Sequence, residues 1–315
     1  MSQSANRSEI VEIIERLAEQ VEQVEYMPVE QSTNMLAYMN SWYSKRYGCP
    51  SKSLSHPRIV IFSSAHGFAK TLNLGNDTHA SYIEKCTKGM TALNRLCGQI
   101  DCDLRIYELD QIGGTDCFIS NGQAMSETSF VSACSYGMMA MEENVGILGL
   151  RGMGTGADHS ARIILAHLLN DQGLLPNSIK MSGISDPIEL VIQYGGYELC
   201  SMLGAFLAAK LADKPILCEG LTGLALMVTL SKFSHKLLKD VFYVSGGSTD
   251  VDIPTIELPM DKCSAQPGTQ LAFVMQNLLM INYIQKGEAL IEQSEEILGS
   301  CGLNKIQEGL KQQNG

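Results

Sequence analysis

No apolar run in this 315-residue sequence reaches the ~18 residues that a membrane span requires. The apolar stretch around Ile216 is interrupted by Cys218-Glu219-Gly220. None of the ten cysteines forms a C-x-x-C pair, and the closest two, Cys97 and Cys102, lack nearby histidines at ligand spacing, so no metal site is expected. Positive charge is scarce: 23 Lys and Arg face 34 Asp and Glu, for a net charge of −11. With no basic face, nucleic acid and anionic membrane are poor partners. There is no internal repeat and no low-complexity segment. The polar, acidic N-terminus has none of the marks of a signal peptide, so free or buried thiols in a reducing cytoplasm are the expectation.

What the chain does have is a core-forming composition, 45% hydrophobic and 18% charged. Apolar runs at 58–62, 104–109, 145–148, 214–218 and 241–244 read as buried strands. Between them lie helical patterns at 78–96, from the Ser126 cap through Met141, at 187–193, 197–211 and 221–230. An amphipathic helix at 8–24 and a second at 32–47, with the only tryptophan, Trp42, come first; helices at 270–281 and 288–298 come last. Strands alternating with helices predict an α/β fold with a mainly parallel sheet flanked by helices, a Rossmann-like large domain. The expected division is a large α/β domain at 58–284 and a smaller helical part from 1–57 plus 285–315. The helix at 197–211 is rich in Leu, Met and Ala, which suits either core packing or a subunit interface.

The chain is organised around Val145–Leu165, where an apolar run leads into Gly149, Gly152, Gly154 and Gly156 and then an apolar-periodic helix. Such a layout offers backbone N–H groups and a positive helix end to an anion. It is not a P-loop, because no Lys-Ser/Thr pair follows the last glycine. Asp158 at the helix start would repel phosphate and can cap the helix unaided. Gly152-Met153-Gly154 followed by Ala157 resembles a dinucleotide fingerprint, but Asn170-Asp171 stand at a helix end where an acidic strand end would be needed. A tight strand-to-helix turn remains the alternative. The strand at 58–62 runs into Ser63-Ser64-Ala65-His66-Gly67, a loop at a strand's carboxyl end, where ligands bind in open α/β sheets. His66 can serve there as acid, base or hydrogen-bond donor, or it can brace the loop.

Six fragments in order resemble one family. Phe62-Ser-Ser-Ala65-His66-Gly67 is similar to FAxDHG, and Gln123-Ala-Met125-Ser to pAMt. Asp186-Pro-Ile-Glu-Leu with Gly195-Gly196-Tyr-Glu198-Leu and Gly204-Ala-Phe-Leu-Ala-Ala resembles DPLEVL…GGxEIA…GAxLAA. Ile216-Leu-Cys-Glu219-Gly220-Leu resembles VVLDGF, Ser264-Ala-Gln-Pro-Gly268 resembles SAEPGH, and Lys286-Gly-Glu288 resembles GEG. These are motifs of the nicotinate-nucleotide:dimethylbenzimidazole phosphoribosyltransferases of cobamide (cobalamin-type) lower-ligand assembly. The resemblance implies that a base attacks C1′ of nicotinate mononucleotide, nicotinate leaves and an α-ribotide forms, with no cofactor. It implies Glu288 as the catalytic residue taking the base's proton, although Glu288 can also simply start a helix. It implies substrate contacts at His66, Met125 and Ser264 and, in the glycine loop, at Gly152, Gly154 and Thr155, with Arg151 beside them as a candidate substrate contact that the family's loop does not have.

The departures fall on the nucleotide side. The loop keeps its glycines but not the family's glutamate or its Asn-Thr-Thr donors, and no lysine-bearing glycine segment stands between Leu169 and Asp186. The DHG aspartate is Ala65, and SAEPGH has Gln266 and Thr269 in place of its glutamate and histidine. Arg151 or Lys262 would have to replace the lost phosphate contacts. The family's dimers include a two-subunit branch that attaches phenol or p-cresol. This chain resembles that branch's less intact subunit, paired with a homologous subunit as a heterodimer, although a homodimer is also compatible. A divergent self-sufficient enzyme and a non-catalytic ligand-binding homologue are the alternatives.

Overall fold

Pro57-Arg-Ile-Val-Ile-Phe-Ser63 is buried along nearly its whole length and becomes the axis of a six-stranded sheet. The computed structural model describes residues 6–20, 56–74, 78–109, 115–175, 179–245, 255–257, 267–269, 271–272 and 274–276. In chain order the elements are α1 (Arg7–Gln20), β1 (Pro57–Ser63), α2 (Thr78–Thr87), α3 (Ala92–Gln99), β2 (Asp103–Glu108), α4 (Glu127–Met138), β3 (Ile147–Met153), α5 (Ala157–Leu169), α6 (Pro187–Tyr194), α7 (Tyr197–Leu211), β4 (Ile216–Glu219), α8 (Gly220–Ser231), β5 (Val241–Ser245) and β6 (Thr255–Glu257). The strand order is β2-β1-β3-β4-β5-β6, and every pair is parallel. The expected α/β class with a parallel sheet is what the chain forms.

Side chains alternate across the sheet. Val60, Phe62, Leu148, Leu150, Ile216 and Cys218 point to one face, against α1, α4, α5, α7 and α8. Ile59, Ile61, Ile147, Met153, Leu217 and Val244 point to the other, against α2, α3 and Leu271, Val274 and Met275. Both faces are covered, as a parallel sheet requires, and each fully buried Ile or Phe contributes about 1.5–3 kcal/mol. Helix α1 joins the first face through Ile10, Ile14 and Leu17.

Four expectations need correction. Helix α7 is not an interface candidate: it is buried from Tyr197 through Leu207 and packs against α4, where added Cβ atoms at Gly137 and Gly204 would lie 1.9 and 1.8 Å from the facing backbone. The single helix expected at 78–96 is two, separated at Gly89 (φ +72) and restarted by a Thr91–Asn94 capping box. Gly149 and Gly152 are strand residues, because β3 continues to Met153. Asp158 does not cap α5: Gly156, at φ +99, is its N-cap, without a side-chain bond. The helices expected at 32–47 and 288–298 lie outside the described residues.

Candidate functional site

The chain leaves β1 toward β2 on one side and returns with β3 on the other, so the sheet's topological switch point lies between β1 and β3. In open α/β sheets ligands bind at such a point, at the carboxyl ends of the strands. Register places Phe62 opposite Gly152 and Ser63 opposite Met153. Beyond the strands the two loops stay joined: Ser64 N–H donates to Met153 O at 3.1 Å and His66 N–H to Thr155 O at 3.2 Å. Gly154 (φ +144) makes this possible, since a Cβ on it would lie 1.7 Å from Ser64 O.

On the first face, Glu198 in the opening turn of α7 is wholly buried. Ser64 Oγ donates to its Oε2 at 2.8 Å, and His66 Nε2 lies 2.9 Å from its Oε1. A carboxylate only accepts, so the hydrogen of this bond is assigned to Nε2. The α7 dipole favours negative charge at this position. Glycines make the space: a Cβ at Gly196 would fall 2.1 Å from Glu198 Oε2, and one at Gly152 would fall 2.7 Å from Met202 Sδ. Thr222 Oγ1 donates to Gly152 O at 2.9 Å and holds β3 to α8. Among the described residues, His66 Nδ1 and Thr155 Oγ1 are buried without a hydrogen-bond partner. Leaving such an atom unpaired costs about 1–3 kcal/mol.

On the second face, Arg151 and Glu219 are neighbours in register on β3 and β4. Their ion pair is loose, with Nε 3.9 Å from Oε2, while that same Oε2 accepts from Gly268 N–H at 2.6 Å. The guanidinium lies over the start of α8, where Gly220 (φ +77) leaves it room: a Cβ there would be 1.3 Å from Nη1. Arg151 Nε has no hydrogen-bond partner among the described residues. Tyr82 shares this field and donates its hydroxyl to Pro267 O at 2.6 Å. Burial holds its phenol well above the usual range, with Cys86 and the Glu219 carboxylate adding to the rise and Arg151 opposing it.

The structure therefore brings His66, Gly152, Gly154 and Thr155 together at the β1/β3 strand ends and sets Arg151 on the opposite sheet face at the same edge. Met125 is buried in the principal core, 3.5 Å from Cys200 Sγ and bonded through its N–H to Ile192 O. Ser264, Lys262 and Glu288 lie outside the described residues. Sequence reasoning missed Glu198 and Glu219 as site residues. Each carries a signal, the one acid in an otherwise apolar helix and the acid ending a buried strand. Among the described residues no group of three or more His, Cys, Asp or Glu is arranged to hold a metal ion. Nor, among them, is any helix long and apolar enough to cross a membrane.

Comparison with known proteins gives a consistent result. A protein-family model described as phosphoribosyltransferase matches residues 12–180. The nicotinate-nucleotide–dimethylbenzimidazole phosphoribosyltransferase of Cereibacter sphaeroides is 26% identical over 206 residues, covering 57% of this chain. The enzyme of the same name from Methylocella silvestris is 26% identical over 209 residues, covering 58%. The chain spans 60% of the length of each of these relatives. Among solved structures, CobT from Thermus thermophilus superimposes with a TM-score of 0.61 at 16% identity, covering 88% of this chain and 96% of that one. This last likeness is one of fold.

Proposed function

The chain belongs to this phosphoribosyltransferase family, and from that premise we propose that it is a subunit of a nicotinate mononucleotide:lower-ligand-base phosphoribosyltransferase that makes the α-ribotide of a cobamide. The observation that carries this reading is the switch point, where the β1 and β3 exit loops are bonded together at the same sheet edge as a loosely paired arginine. The nucleotide phosphate is taken by Arg151, whose planar fork suits a phosphate's oxygens and whose pairing with Glu219 leaves donors to spare. The glycine loop at Gly152–Thr155 and His66 border the ribose. The incoming base, bordered by Ser264, forms its bond to C1′ as the bond to nicotinate breaks, and Met125, in the core, backs the site from behind. The base's proton passes to Glu288. Glu288→Gln is therefore expected to abolish turnover while leaving base binding intact; equal loss of both would contradict that role.

The finer reading is pairing. A loop stripped of its glutamate and amide donors holds a nucleotide with fewer bonds, and a homologous subunit that completes the site makes up for them. The bases of such a pair are phenol or p-cresol, and the setting is the cytoplasm. The alternative, a self-sufficient divergent enzyme, is favoured by one observation, the guanidinium already in place at Arg151. The deciding experiment is nicotinate release from nicotinate mononucleotide by the purified chain, with dimethylbenzimidazole, phenol and p-cresol each supplied. Turnover restored only on adding an intact homologue from the same source supports the pair. Turnover by the chain alone supports the self-sufficient enzyme. No turnover in either arm would overturn the proposal.

A further inference from the structure

None of the chain's cysteines enters the reaction proposed above, yet two of them are held together by backbone geometry. Helix α3 ends in a left-handed turn: Ile100 is its C-cap, Asp101 stands at φ +51, and Cys102 N–H closes back on Cys97 O at 2.9 Å. A turn of this kind sets the side chain of the third-last helical residue against that of the residue two past the cap. Here both are cysteines, and their thiols share a hydrogen bond. Met275 Sδ, 3.9 Å from Cys102 Sγ, lies beneath the pair. Cys97 and Cys102 are buried, at 3% and 8% exposure. The turn over them is open, however: Gly98, Gln99 and Asp101 are exposed, and a Cβ on Gly98 would meet nothing within 4 Å. The two thiols therefore lie one residue layer below solvent. Cys134 and Cys200 also neighbour one another, but in the principal core, on α4 and α7.

We propose that Cys97 and Cys102 form a reversible dithiol–disulfide site whose oxidant is hydrogen peroxide. So little exposure suits an oxidant of two heavy atoms better than a bulky disulfide. The bond from Cys102 holds the Cys97 thiol below its ordinary value, against burial and the Asp103 carboxylate, while the same bond and burial hold Cys102 far above its own. Cys97 is therefore the attacking sulfur. Its thiolate forms an S–O bond as the peroxide O–O bond breaks, and the departing hydroxide takes up the proton Cys97 gave away, leaving as water. The Cys102 sulfur then attacks the Cys97 sulfenic acid. The S–S bond forms, the S–O bond breaks, and the hydroxyl leaves with the Cys102 proton as a second water. The two thiols lose two electrons and two protons in all, and the peroxide accepts both. A thiol donor reverses the step by exchange.

The test uses the full chain, reduced and then exposed to hydrogen peroxide, with the remaining thiols blocked by iodoacetamide in denaturant and mapped by peptide mass. Cleavage after Arg95 and Arg105 puts both cysteines in one peptide, 96–105. That peptide is expected to become lighter by two hydrogen atoms and to escape blocking, about ten-fold or more faster than Cys134 or Cys200 is oxidised. Dithiothreitol is expected to restore it. Cys102→Ser is expected to stop Cys97 at the sulfenic acid, trapped by dimedone, and Cys97→Ser to leave Cys102 unoxidised over the same period. If either variant fails to fold, the map of the unaltered chain decides alone. A peptide 96–105 that still carries two blocked thiols once Cys134 or Cys200 has begun to react would overturn the site. Dimedone captured at Cys102 and not at Cys97 would overturn the assignment of Cys97 as the attacking sulfur.

Discussion

The carboxyl edge of the sheet carries a glutamate and a nitrogen base on each face, and the two pairs are built differently. On the first face both oxygens of Glu198 are matched, by Ser64 at 2.8 Å and His66 at 2.9 Å, in complete burial. On the second, Arg151 stands 3.9 Å from a Glu219 oxygen already used by the Gly268 backbone, and its side chain keeps 15% of its exposure. A sealed and satisfied carboxylate fixes geometry: it clamps the β1 loop to α7 and orients an imidazole. A loosely paired guanidinium holds binding capacity in reserve. The difference teaches that the two faces are built for different work, one rigid and satisfied and the other loosely paired; under the proposed function the first positions the ribose and the second takes the phosphate.

The largest way to break this contrast is Glu198→Ala. It strands Ser64 Oγ and His66 Nε2 in the interior and is expected to cost about 3–5 kcal/mol, read from the denaturant midpoint. A loss below about 1 kcal/mol would mean that the clamp holds nothing. Next come matched glycine substitutions. Gly196→Ala drives a Cβ to 2.1 Å from Glu198 Oε2 and 2.4 Å from His66 Nε2, a pinned pair, so overpacking of about 1–3 kcal/mol is expected. Gly220→Ala collides only with the Arg151 guanidinium, Nη1 at 1.3 Å and Cζ at 2.4 Å, the end of a flexible side chain. Its stability cost should be about 1–2 kcal/mol, from the positive φ, with phosphate affinity falling alongside as the guanidinium is displaced. Unchanged phosphate affinity in that variant would remove Arg151 from the site.

A smaller effect concerns the thiols. Burial pushes the Cys117 thiol up, but hydrogen bonds with Thr71 and Ser120 outweigh it and bring it below its ordinary value. Burial holds Cys134, Cys200 and Cys218 far above theirs. Iodoacetamide near neutral pH should therefore label Cys117 before those three, as peptide mass mapping would show; early labelling of Cys218 would mean that the β4 layer opens readily.

Much of the frame was legible in the sequence because it is local. The β-branched run at 58–62, the Ser126 cap and the apolar helix at 197–211 each depend on neighbours within a few residues. The meeting of the β1 and β3 exit loops was legible in outline, since strand ends converge wherever the sheet reverses. What binds it together was not. Glu198 meets Ser64 across 134 positions of sequence, and nothing local says that a lone acid on an apolar helix will face a histidine rather than solvent. Gly152 read as a loop glycine because Gly149, Gly154 and Gly156 lie within four residues of it, whereas pairing with Phe62 keeps it in the strand. The split at Gly89 was hidden by an apolar period that continues across it.

The division of labour is tested most directly by the affinities of nicotinate mononucleotide and of its riboside, which lacks the phosphate, for the unaltered chain and for Arg151→Gln. The account predicts that the unaltered chain prefers the phosphorylated ligand by about ten-fold or more, and that Arg151→Gln loses this preference while keeping its fold and its affinity for the riboside. A preference for the phosphate that survives Arg151→Gln intact would contradict it, and would place the anion somewhere other than the Arg151 edge of the sheet.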